Sequence, residues 1–225
     1  MDEDLHQYRG EKIEVTWNAR RCIHVAECLH RLGVVFDLGR RPWVLPDAAS
    51  PDQVADTILH CPSGALHFLR KDGGVQEAPD VLNTVSPQIN GPLYVRGDIV
   101  VETPRGDVAF KDTRMALCRC GASKNKPFCD KSHEQIGFQH GGTLGESKAR
   151  TDDRLPKFGQ LKIIPTKDGP LALRGPFELR GCDQTAYTGN TVRLCRCGRS
   201  SNKPFCDDTH ARVVFKSEQE QALVG

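Results

Sequence analysis

The sequence predicts an α+β protein, with a small mixed N-terminal domain followed by two β-rich repeats. Three observations lead to this fold class: ten cysteines in a chain of 225 residues, a duplicated segment in the second half, and apolar runs separated by many of the 21 Gly and 14 Pro. Punctuation of this density is typical of short strands joined by tight turns, and it argues against one large apolar core. The predicted domains are residues 1–78, 79–139 and 161–225, with a linker at 140–160.

The charge balance and the N-terminus limit the class of protein. The chain has 31 Lys and Arg against 29 Asp and Glu, which is too balanced for a protein that binds phosphate backbones, so we expect no nucleic-acid partner. No apolar run approaches the roughly 20 residues of a membrane span, and the acidic first residues are unlike a signal peptide. We therefore expect a cytoplasmic protein without a membrane partner. Thiols are kept reduced there, so the ten cysteines indicate metal ligands rather than disulfides.

The second half of the chain is a duplication. The segment 118–130 recurs at 195–207 with an offset of 77 residues, and the segment 91–97 recurs at 169–175 with an offset of 78. A slip of one residue between matched segments is what a turn between strands tolerates. Apolar runs in both copies predict short antiparallel strands: Leu93–Val95, Ile99–Val101, Val108–Phe110, Leu161–Ile164, Leu171–Leu173 and Phe177–Leu179.

Each copy carries the pattern C-x-C-x8-C-x3-H, which indicates a metal site. The candidate ligands are Cys118, Cys120, Cys129 and His133 in the first copy, and Cys195, Cys197, Cys206 and His210 in the second. Thiolates select zinc, Cu(I) or iron–sulfur clusters. An alternating C-x-C pair suits two thiolates on one iron, and the following Cys and His can then reach a second iron. Structural zinc sites more often use C-x2–4-C, so the spacing favours a cluster and leaves zinc open as the alternative.

Both segments resemble the CDGSH iron–sulfur (NEET) family, whose signature is C-x-C-x2-(S/T)-x3-P-x-C-D-G-(S/A/T)-H. The matching residues are Cys118, Cys120, Ser123, Pro127, Cys129, Asp130, Ser132 and His133, and then Cys195, Cys197, Ser200, Pro204, Cys206, Asp207, Thr209 and His210. Lys131 and Asp208 replace the signature glycine. The resemblance implies one [2Fe–2S] cluster per repeat, with one iron held by two Cys and the other by Cys and His.

The same resemblance implies a fold in which two copies exchange β-strands around a pseudo-two-fold axis. In the family this arrangement needs a homodimer. Because this chain carries the copies in tandem, we expect an intramolecular pseudo-dimer with strand-swapped sheets, and therefore a monomer with internal pseudo-two-fold symmetry. A homodimer of chains is the alternative.

The N-terminal candidate site consists of Cys22, Cys28 and Cys61. Against the bacterial ferredoxin run C-x2-C-x2-C…C-P, these residues match three of four ligands, and Val25 occupies the place of the missing one. A cluster without one corner ligand most simply loses that iron, so we expect a [3Fe–4S] cluster. A [4Fe–4S] cluster whose fourth ligand is water, His24 or His30 is the alternative.

The residues around this site support a separate small domain. Ser50-Pro51-Asp52-Gln53 is a capping box with proline at the first helical position, and it predicts a helix that leads into Cys61-Pro62. Residues 10–70 resemble the divergent single-cluster bacterial ferredoxins, which implies a ferredoxin-like N-terminal domain.

The candidate ligands are not accompanied by a nucleotide fingerprint, a P-loop, a flavin motif or a recognisable nucleophile–base pair. We therefore expect a redox carrier that is not an enzyme. Its N-terminal cluster would exchange electrons with the two His-ligated centres or with a redox partner protein. The alternative is an iron–sulfur storage or donor protein that hands acid-labile clusters to an apo-acceptor protein, because a His ligand can take up a proton near pH 6–7. The sequence names neither partner.

Overall fold

The computed structural model describes residues 4–217, and the chain divides into two compact units, Met1–Ala78 and Pro79–Gly225. The described part contains nine strands and four α-helices. Its longest helix has nine residues, so none of the described helices is long and apolar enough to cross a membrane. The predicted α+β class is confirmed at this level.

The N-terminal unit is a three-stranded antiparallel sheet with two helices. The strands lie in the order β1 (Leu5–Arg9), β2 (Ile13–Asn18) and β3 (Leu66–Arg70). Helices α1 (Glu27–Arg31) and α2 (Pro51–Leu59) lie between β2 and β3 in the chain. Alternation along β2 buries Ile13 and Val15, which pack with Val54 and Ile58 of α2 in one apolar core.

The predicted capping box at the start of α2 is confirmed. Gln53 N donates to Ser50 Oγ at 3.3 Å, and Ser50 N donates to Gln53 Oε1 at 3.2 Å. These bonds satisfy backbone donors that the first turn of a helix leaves free. Beyond the end of the helix, Cys61 N donates to Ile58 O at 2.9 Å, and this bond fixes Cys61 next to the last turn of the helix.

The C-terminal unit contains the two repeats, each with three strands and one short helix. The first repeat contributes β4 (Thr84–Pro87), β5 (Leu93–Glu102), β6 (Val108–Leu117) and α3 (Ser132–Gln135). The second contributes β7 (Leu161–Pro165), β8 (Leu171–Arg180), β9 (Ala186–Leu194) and α4 (Thr209–Arg212). Apolar residues of both repeats share one buried core, which includes Val85, Val95, Ile163 and Leu173.

The prediction of two short strands at the start of each repeat was wrong. The runs 93–95 and 99–101 both belong to β5, and the runs 171–173 and 177–179 both belong to β8. In each strand the register shifts between the two runs, at Arg96/Ile99 in β5 and at Arg174/Phe177 in β8. The glycine after each arginine therefore marks an irregularity within a strand, not a turn between two strands.

The two halves of each long strand have neighbours from different repeats. The first half of β5 pairs antiparallel with β4 through Val95 and Val85, and its second half pairs parallel with β7 through Ile99 and Leu161. The first half of β8 pairs antiparallel with β7, and its second half pairs parallel with β4, where Leu179 faces Val85. Each repeat therefore completes part of the sheet of the other.

Asn83 ties the first repeat to the linker and to the second repeat. Its side chain is 2% exposed, and its Nδ2 donates to Gly159 O at 2.7 Å and to Pro176 O at 2.8 Å. Its Oδ1 accepts from Asp98 N at 2.9 Å. All three of these bonds connect segments that are distant in sequence, so the amide group holds the centre of the six-stranded sheet together.

Asn83→Ala should destabilise the C-terminal unit by about 3 kcal/mol, because it removes three buried hydrogen bonds and leaves their backbone partners unsatisfied. The slowest-exchanging amides of β5 and β8 should then exchange about a hundredfold faster in hydrogen exchange measured by mass spectrometry. Lys111→Ala on the exposed face of β6 is the control, and we expect it to change stability by less than about 0.5 kcal/mol. Equal exchange in the two variants would contradict the role of Asn83.

Candidate metal centres

The first repeat places two candidate ligands directly after β6. The Sγ atoms of Cys118 and Cys120 are 3.9 Å apart. The loop beyond them is closed by Ser123, whose hydroxyl donates to Phe128 O at 2.7 Å. Cys118 N donates to Pro127 O at 2.8 Å, so the far end of the loop returns to its start. The signature Ser and Pro are therefore part of the loop that shapes the site.

The other two candidate ligands of this repeat lie at the start of α3. Cys129 Sγ and His133 Nδ1 are 3.4 Å apart. Lys131, which replaces the signature glycine, has a left-handed φ of 69° immediately before the helix. Glycine adopts this conformation at no steric cost, whereas lysine adopts it with strain. The replacement therefore keeps a turn in which residues 129 and 133 meet.

The second repeat has the same arrangement. The Sγ atoms of Cys195 and Cys197 are 3.7 Å apart, and Cys206 Sγ lies 3.5 Å from His210 Nδ1. Asp208 has a φ of 63° at the position of the signature glycine. The structure therefore brings all eight predicted ligands of the two repeats together in four pairs.

Each pair has the separation that one metal ion requires. Metal–sulfur bonds of about 2.3 Å and metal–nitrogen bonds of about 2.0 Å at a tetrahedral angle place two sulfurs about 3.8 Å apart, and a sulfur and a nitrogen about 3.5 Å apart. The observed sulfur–sulfur distances are 3.9 and 3.7 Å, and the sulfur–nitrogen distances are 3.4 and 3.5 Å. The donors therefore fit a bound metal without rearrangement.

The pairs do not converge on a single ion. Within residues 4–217, no three of the four candidate donors of either repeat lie within 4.8 Å of one another. One tetrahedral zinc would need all four donors about 3.5–3.8 Å apart. The separation of the pairs therefore suits two bridged metal ions in each repeat better than the zinc alternative.

A hydrogen bond within each C-x-C pair lowers the pKa of one of its two thiols. The bond between the two thiols lowers the pKa of Cys120 to about 7 and raises that of Cys118, and in the second repeat it lowers the pKa of Cys197 to about 6 and raises that of Cys195. Burial lowers the pKa of His133, which favours neutral imidazole. Metal ligands must be deprotonated, so one thiolate of each C-x-C pair and the imidazole of His133 are available near neutral pH. Burial raises the pKa of Cys129 and of Cys206, so these two thiols release their protons only when metal binds.

Backbone N–H groups also point at the sulfurs. Ala122 N donates to Cys120 Sγ at 3.5 Å, and Lys131 N donates to Cys129 Sγ at 3.4 Å. In the second repeat, Asp208 N donates to Cys206 Sγ at 3.4 Å. Hydrogen bonds to the ligand sulfurs are among the factors that set the potential of an iron–sulfur cluster.

The two Cys-x-Cys loops contact each other through their backbones. A Cβ atom on Gly121 would lie 2.7 Å from Cys197 O, and one on Gly198 would lie 2.4 Å from Cys120 O. Both distances are far below van der Waals contact, so each position accommodates only glycine. The C-x-C pair of one repeat is therefore held against that of the other.

Two buried arginines were not identified as functional residues from the sequence. Arg119 and Arg196 each stand between the two cysteines of a C-x-C pair and are 1% exposed. Arg119 Nε donates to Gly91 O at 2.9 Å, and Arg196 Nε donates to Gly169 O at 3.0 Å. Burial lowers the pKa of both guanidinium groups to about 10, so both stay charged at neutral pH. The signal in the sequence was their identical place in the two copies.

The N-terminal candidate ligands also come together. Cys22 follows a short 3₁₀ turn, Cys28 lies in α1, and Cys61 lies beyond α2, and all three line one cavity of about 30 Å³. Burial, followed by the charges of Cys61 and Cys22, raises the pKa of Cys28 to about 11. No three Cys, His, Asp or Glu donors of this described site lie within 4.8 Å of one another. The three cysteines are thus adjacent but too far apart for one shared ion.

The two candidate fourth ligands of this site are placed differently. His24 lines the cavity, with its Nδ1 3.7 Å from Cys22 Sγ, whereas His30 is not among the described residues that line it. Val25 lines the same cavity and is 41% exposed. His24 and Ala26 have left-handed φ angles of 52° and 62°, so the backbone between Cys22 and Cys28 is strained around the cavity.

Thiolate and imidazole donors gathered in this way are typical of iron–sulfur proteins, and comparison with known families agrees. A family described as "Divergent 4Fe-4S mono-cluster" matches residues 8–71, and one described as "Iron-binding zinc finger CDGSH type" matches residues 90–134 and 168–211. The chain belongs to these families, as a divergent mono-cluster domain followed by two CDGSH domains, and it is an iron–sulfur protein.

Two curated relatives share one part of the chain. "Uncharacterized protein YjdI" of Escherichia coli strain K12 is 39% identical over 71 residues, which cover 32% of this chain and 93% of the relative. The protein of the same name from Escherichia coli O157:H7 gives the same identity and coverage. No solved structure matches the chain.

Substituting a candidate ligand should remove metal, whereas substituting the remaining cysteine should not. Cys206→Ser should lower iron and sulfide in the purified protein by the content of one centre, because Cys206 pairs with His210. Cys182→Ser is the matched control, because Cys182 Sγ donates to Pro87 O at 3.3 Å and belongs to none of the ligand pairs. Equal metal content in the two variants would show that Cys206 is not a ligand.

Proposed function

We propose that this chain is an electron carrier that is not an enzyme. Cys118, Cys120, Cys129 and His133 would hold one [2Fe–2S] cluster, and Cys195, Cys197, Cys206 and His210 would hold a second. Cys22, Cys28 and Cys61 would hold a [3Fe–4S] cluster. One-electron transfer is the chemistry that such clusters supply when bound. The role of the chain's own residues is to bind and shield the clusters and, within the C-terminal unit, to fix the separation of the two [2Fe–2S] clusters.

The contact between the two Cys-x-Cys loops is the observation that supports this proposal most strongly. Gly121 meets the backbone of Cys197, and Gly198 meets that of Cys120, so the two sites lie side by side inside one unit. Adjacent sites suit the exchange of electrons within the chain. We further propose that the repeats form a strand-swapped intramolecular pseudo-dimer and that the protein is a monomer, which the pairing of β4 with β8 and of β5 with β7 supports.

The choice of [3Fe–4S] for the N-terminal site depends on residue 25. Val25 offers no donor in the place where ferredoxins carry their second cysteine. The position of His24 beside Cys22 keeps a [4Fe–4S] cluster as the alternative, with His24 as its fourth ligand. The match to a family described as a 4Fe-4S mono-cluster supports that alternative as well.

A cluster donor is the second candidate function, and the second repeat favours it. Cys206 is partly exposed, whereas the corresponding Cys129 is 3% exposed, and the two histidines are both partly exposed. With its cysteine partly exposed, the Cys–His pair of the second repeat would be more accessible to an apo-acceptor protein than that of the first repeat. Transfer of the cluster to an apo-ferredoxin, without reduction and reoxidation of the chain, would support the donor function over the carrier function.

The purified protein should be red-brown and contain about seven iron atoms and about eight sulfides, as two two-iron clusters and one three-iron cluster require. Electron paramagnetic resonance of the oxidised protein should show one signal, because three ferric ions have an odd number of electrons and the two-iron centres are silent. A silent oxidised spectrum with about eight iron atoms would replace [3Fe–4S] by [4Fe–4S]. A colourless protein with stoichiometric zinc would exclude the proposed function.

Introducing side chains between the Cys-x-Cys loops should separate the two sites. In the double variant Gly121→Ala with Gly198→Ala, the new Cβ atoms would meet backbone at 2.7 and 2.4 Å, so the loops must move apart. The magnetic interaction between the two reduced centres should weaken, which electron paramagnetic resonance of the fully reduced protein measures.

Gly106→Ala is the matched control for the double variant. Gly106 has a φ of 94°, close to the 88° of Gly121, but nothing lies within 4 Å of its Cβ position. The control therefore carries the same backbone strain without a collision between loops. An unchanged magnetic interaction in the double variant would show that the loop contact does not set the distance between the sites.

A further inference from the structure

A basic groove lies beside the second candidate metal centre. The groove has a volume of about 490 Å³, and four cationic side chains and one candidate ligand line it: Lys148, Arg150, Arg174, Arg193 and Cys206. This volume falls in the range of about 300–1,000 Å³ that is usual for small-molecule sites. The whole chain has a net charge of only +2, so four cations in one groove are a local feature of this surface.

The cations come from three segments that the fold holds together. Lys148 and Arg150 belong to the linker, Arg174 to β8 and Arg193 to β9. The linker is fixed to β9 by backbone hydrogen bonds, because Arg150 N donates to Thr191 O at 2.9 Å and Thr191 N donates to Arg150 O at 3.0 Å. The groove is therefore built by tertiary structure and not by a run of basic residues.

Asn190 adds a second attachment of the linker. Asp152 N donates to Asn190 Oδ1 at 2.6 Å, and Asn190 Nδ2 donates to Asp152 O at 2.8 Å. The floor of the groove is apolar, because it includes the buried side chains of Leu173 and Val192. An apolar floor with cations around it suits a ligand that carries both an anionic group and an organic part.

Three of the four cations have no carboxylate partner in the described part of the chain. Lys148, Arg150 and Arg174 form no ion pair within 4.0 Å among residues 4–217, although the Asp152 carboxylate acts on Arg174 from further away. Arg193 is paired with Asp208, whose two carboxylate oxygens lie 3.0 and 2.9 Å from its Nη2. The groove therefore keeps a surplus of positive charge.

At the matching positions of the first repeat, the basic side chains are either paired with a carboxylate, buried or replaced. The counterpart of Arg174 is Arg96, which is bound to Asp80 at 2.9 Å. The counterpart of Arg193 is Ala116, and the counterpart of Thr191 is Arg114, which is 1% exposed. The surplus charge is thus a property of the second repeat and of the linker that covers it, and the first repeat does not share it.

We propose that this groove binds a small phosphorylated anion beside Cys206. Guanidinium groups present planar pairs of donors that match phosphate oxygens, and three of the four cations are arginines. An anion that engages Arg193 competes with Asp208, whose Oδ1 lies 3.8 Å from Cys206 Sγ. Binding would therefore alter the charge around the second centre and leave the first unchanged. The anion site itself does not depend on the proposed electron transfer.

Titration calorimetry of the cluster-loaded full-length chain with inorganic pyrophosphate tests the site at constant ionic strength. We expect saturable binding to one site per chain. Arg174→Gln should weaken the affinity about tenfold, and so should Lys148→Gln combined with Arg150→Gln, because each removes charge-assisted bonds to phosphate. Arg174→Lys should recover part of the affinity, because lysine keeps the charge but not the planar pair of donors.

Arg96→Gln is the matched control, because Arg96 occupies in the first repeat the position of Arg174 in the second. The affinity of this variant for pyrophosphate should equal that of the unmodified chain. The visible absorption spectrum of each variant shows that it has folded and loaded its centres. Heat no greater than that of potassium chloride, or an affinity unchanged by the groove substitutions, would overturn the proposal. Binding of polyglutamate without binding of pyrophosphate would overturn it too, and would assign the groove to an acidic protein partner.

Discussion

Backbone contact between the two Cys-x-Cys loops is the constraint on which the C-terminal unit depends. The loops approach each other at Gly121 and Gly198, where any larger residue would collide with a carbonyl group. They reach this position because β6 and β9 end there, and those strands pair with β5 and β8, whose register shifts within each strand. Since β4 and β7 each bridge β5 and β8, neither repeat completes its own sheet. The positions of the metal centres therefore depend on a sheet that both repeats build together.

The same contact between the loops places two buried guanidinium groups, those of Arg119 and Arg196, at the centre of this unit. A buried guanidinium is costly unless anions or hydrogen-bond acceptors surround it. Arg119 meets this need by donating to the carbonyl oxygens of Gly91 and Gln88. The sulfur groups of Cys182, Cys195 and Cys120 also act on its charge, and Cys118 acts in the same way on Arg196. Each arginine thus lies between the two cysteines of its own loop, and its charge also interacts with a cysteine of the other repeat. The ring of Phe138 lies 5.2 Å from the guanidinium of Arg119, and that of Phe215 lies 5.4 Å from the guanidinium of Arg196.

The sequence predicted correctly those features that depend on residues close together in the chain. The duplication, the ligand pairs and the capped helix before Cys61 follow from short motifs whose geometry is nearly independent of context. The family comparisons confirm the three domain types. In the structure, the Cys and His of each repeat meet because a helix begins between them with a left-handed residue, a turn that the signature spacing already implies.

Other features depended on partners that are distant in the chain. Arg96-Gly97 and Arg174-Gly175 suggested turns, yet both lie inside strands, because pairing with the other repeat extends each strand past the irregularity. Strand β4 has only four residues, Thr84–Pro87, which is too short for its alternation to reveal it, and it is stabilised by pairing with both β5 and β8. The basic groove could not be predicted either. Its cations are spread over a linker and two strands, and they reach one surface through the pairing of β8 with β9 and of Arg150 with Thr191.

Duplication produced two sites with the same donors in different surroundings. Before α3 stands Lys131, which pairs with Glu134 at 3.0 Å, whereas Asp208 stands at the same place before α4. A cation beside a thiolate site favours an added electron, and an anion disfavours it. Asp208 is paired with Arg193, which also lines the basic groove. The two sites are therefore electrostatically unequal, and the inequality is concentrated at the one site whose neighbouring charge a bound anion could change.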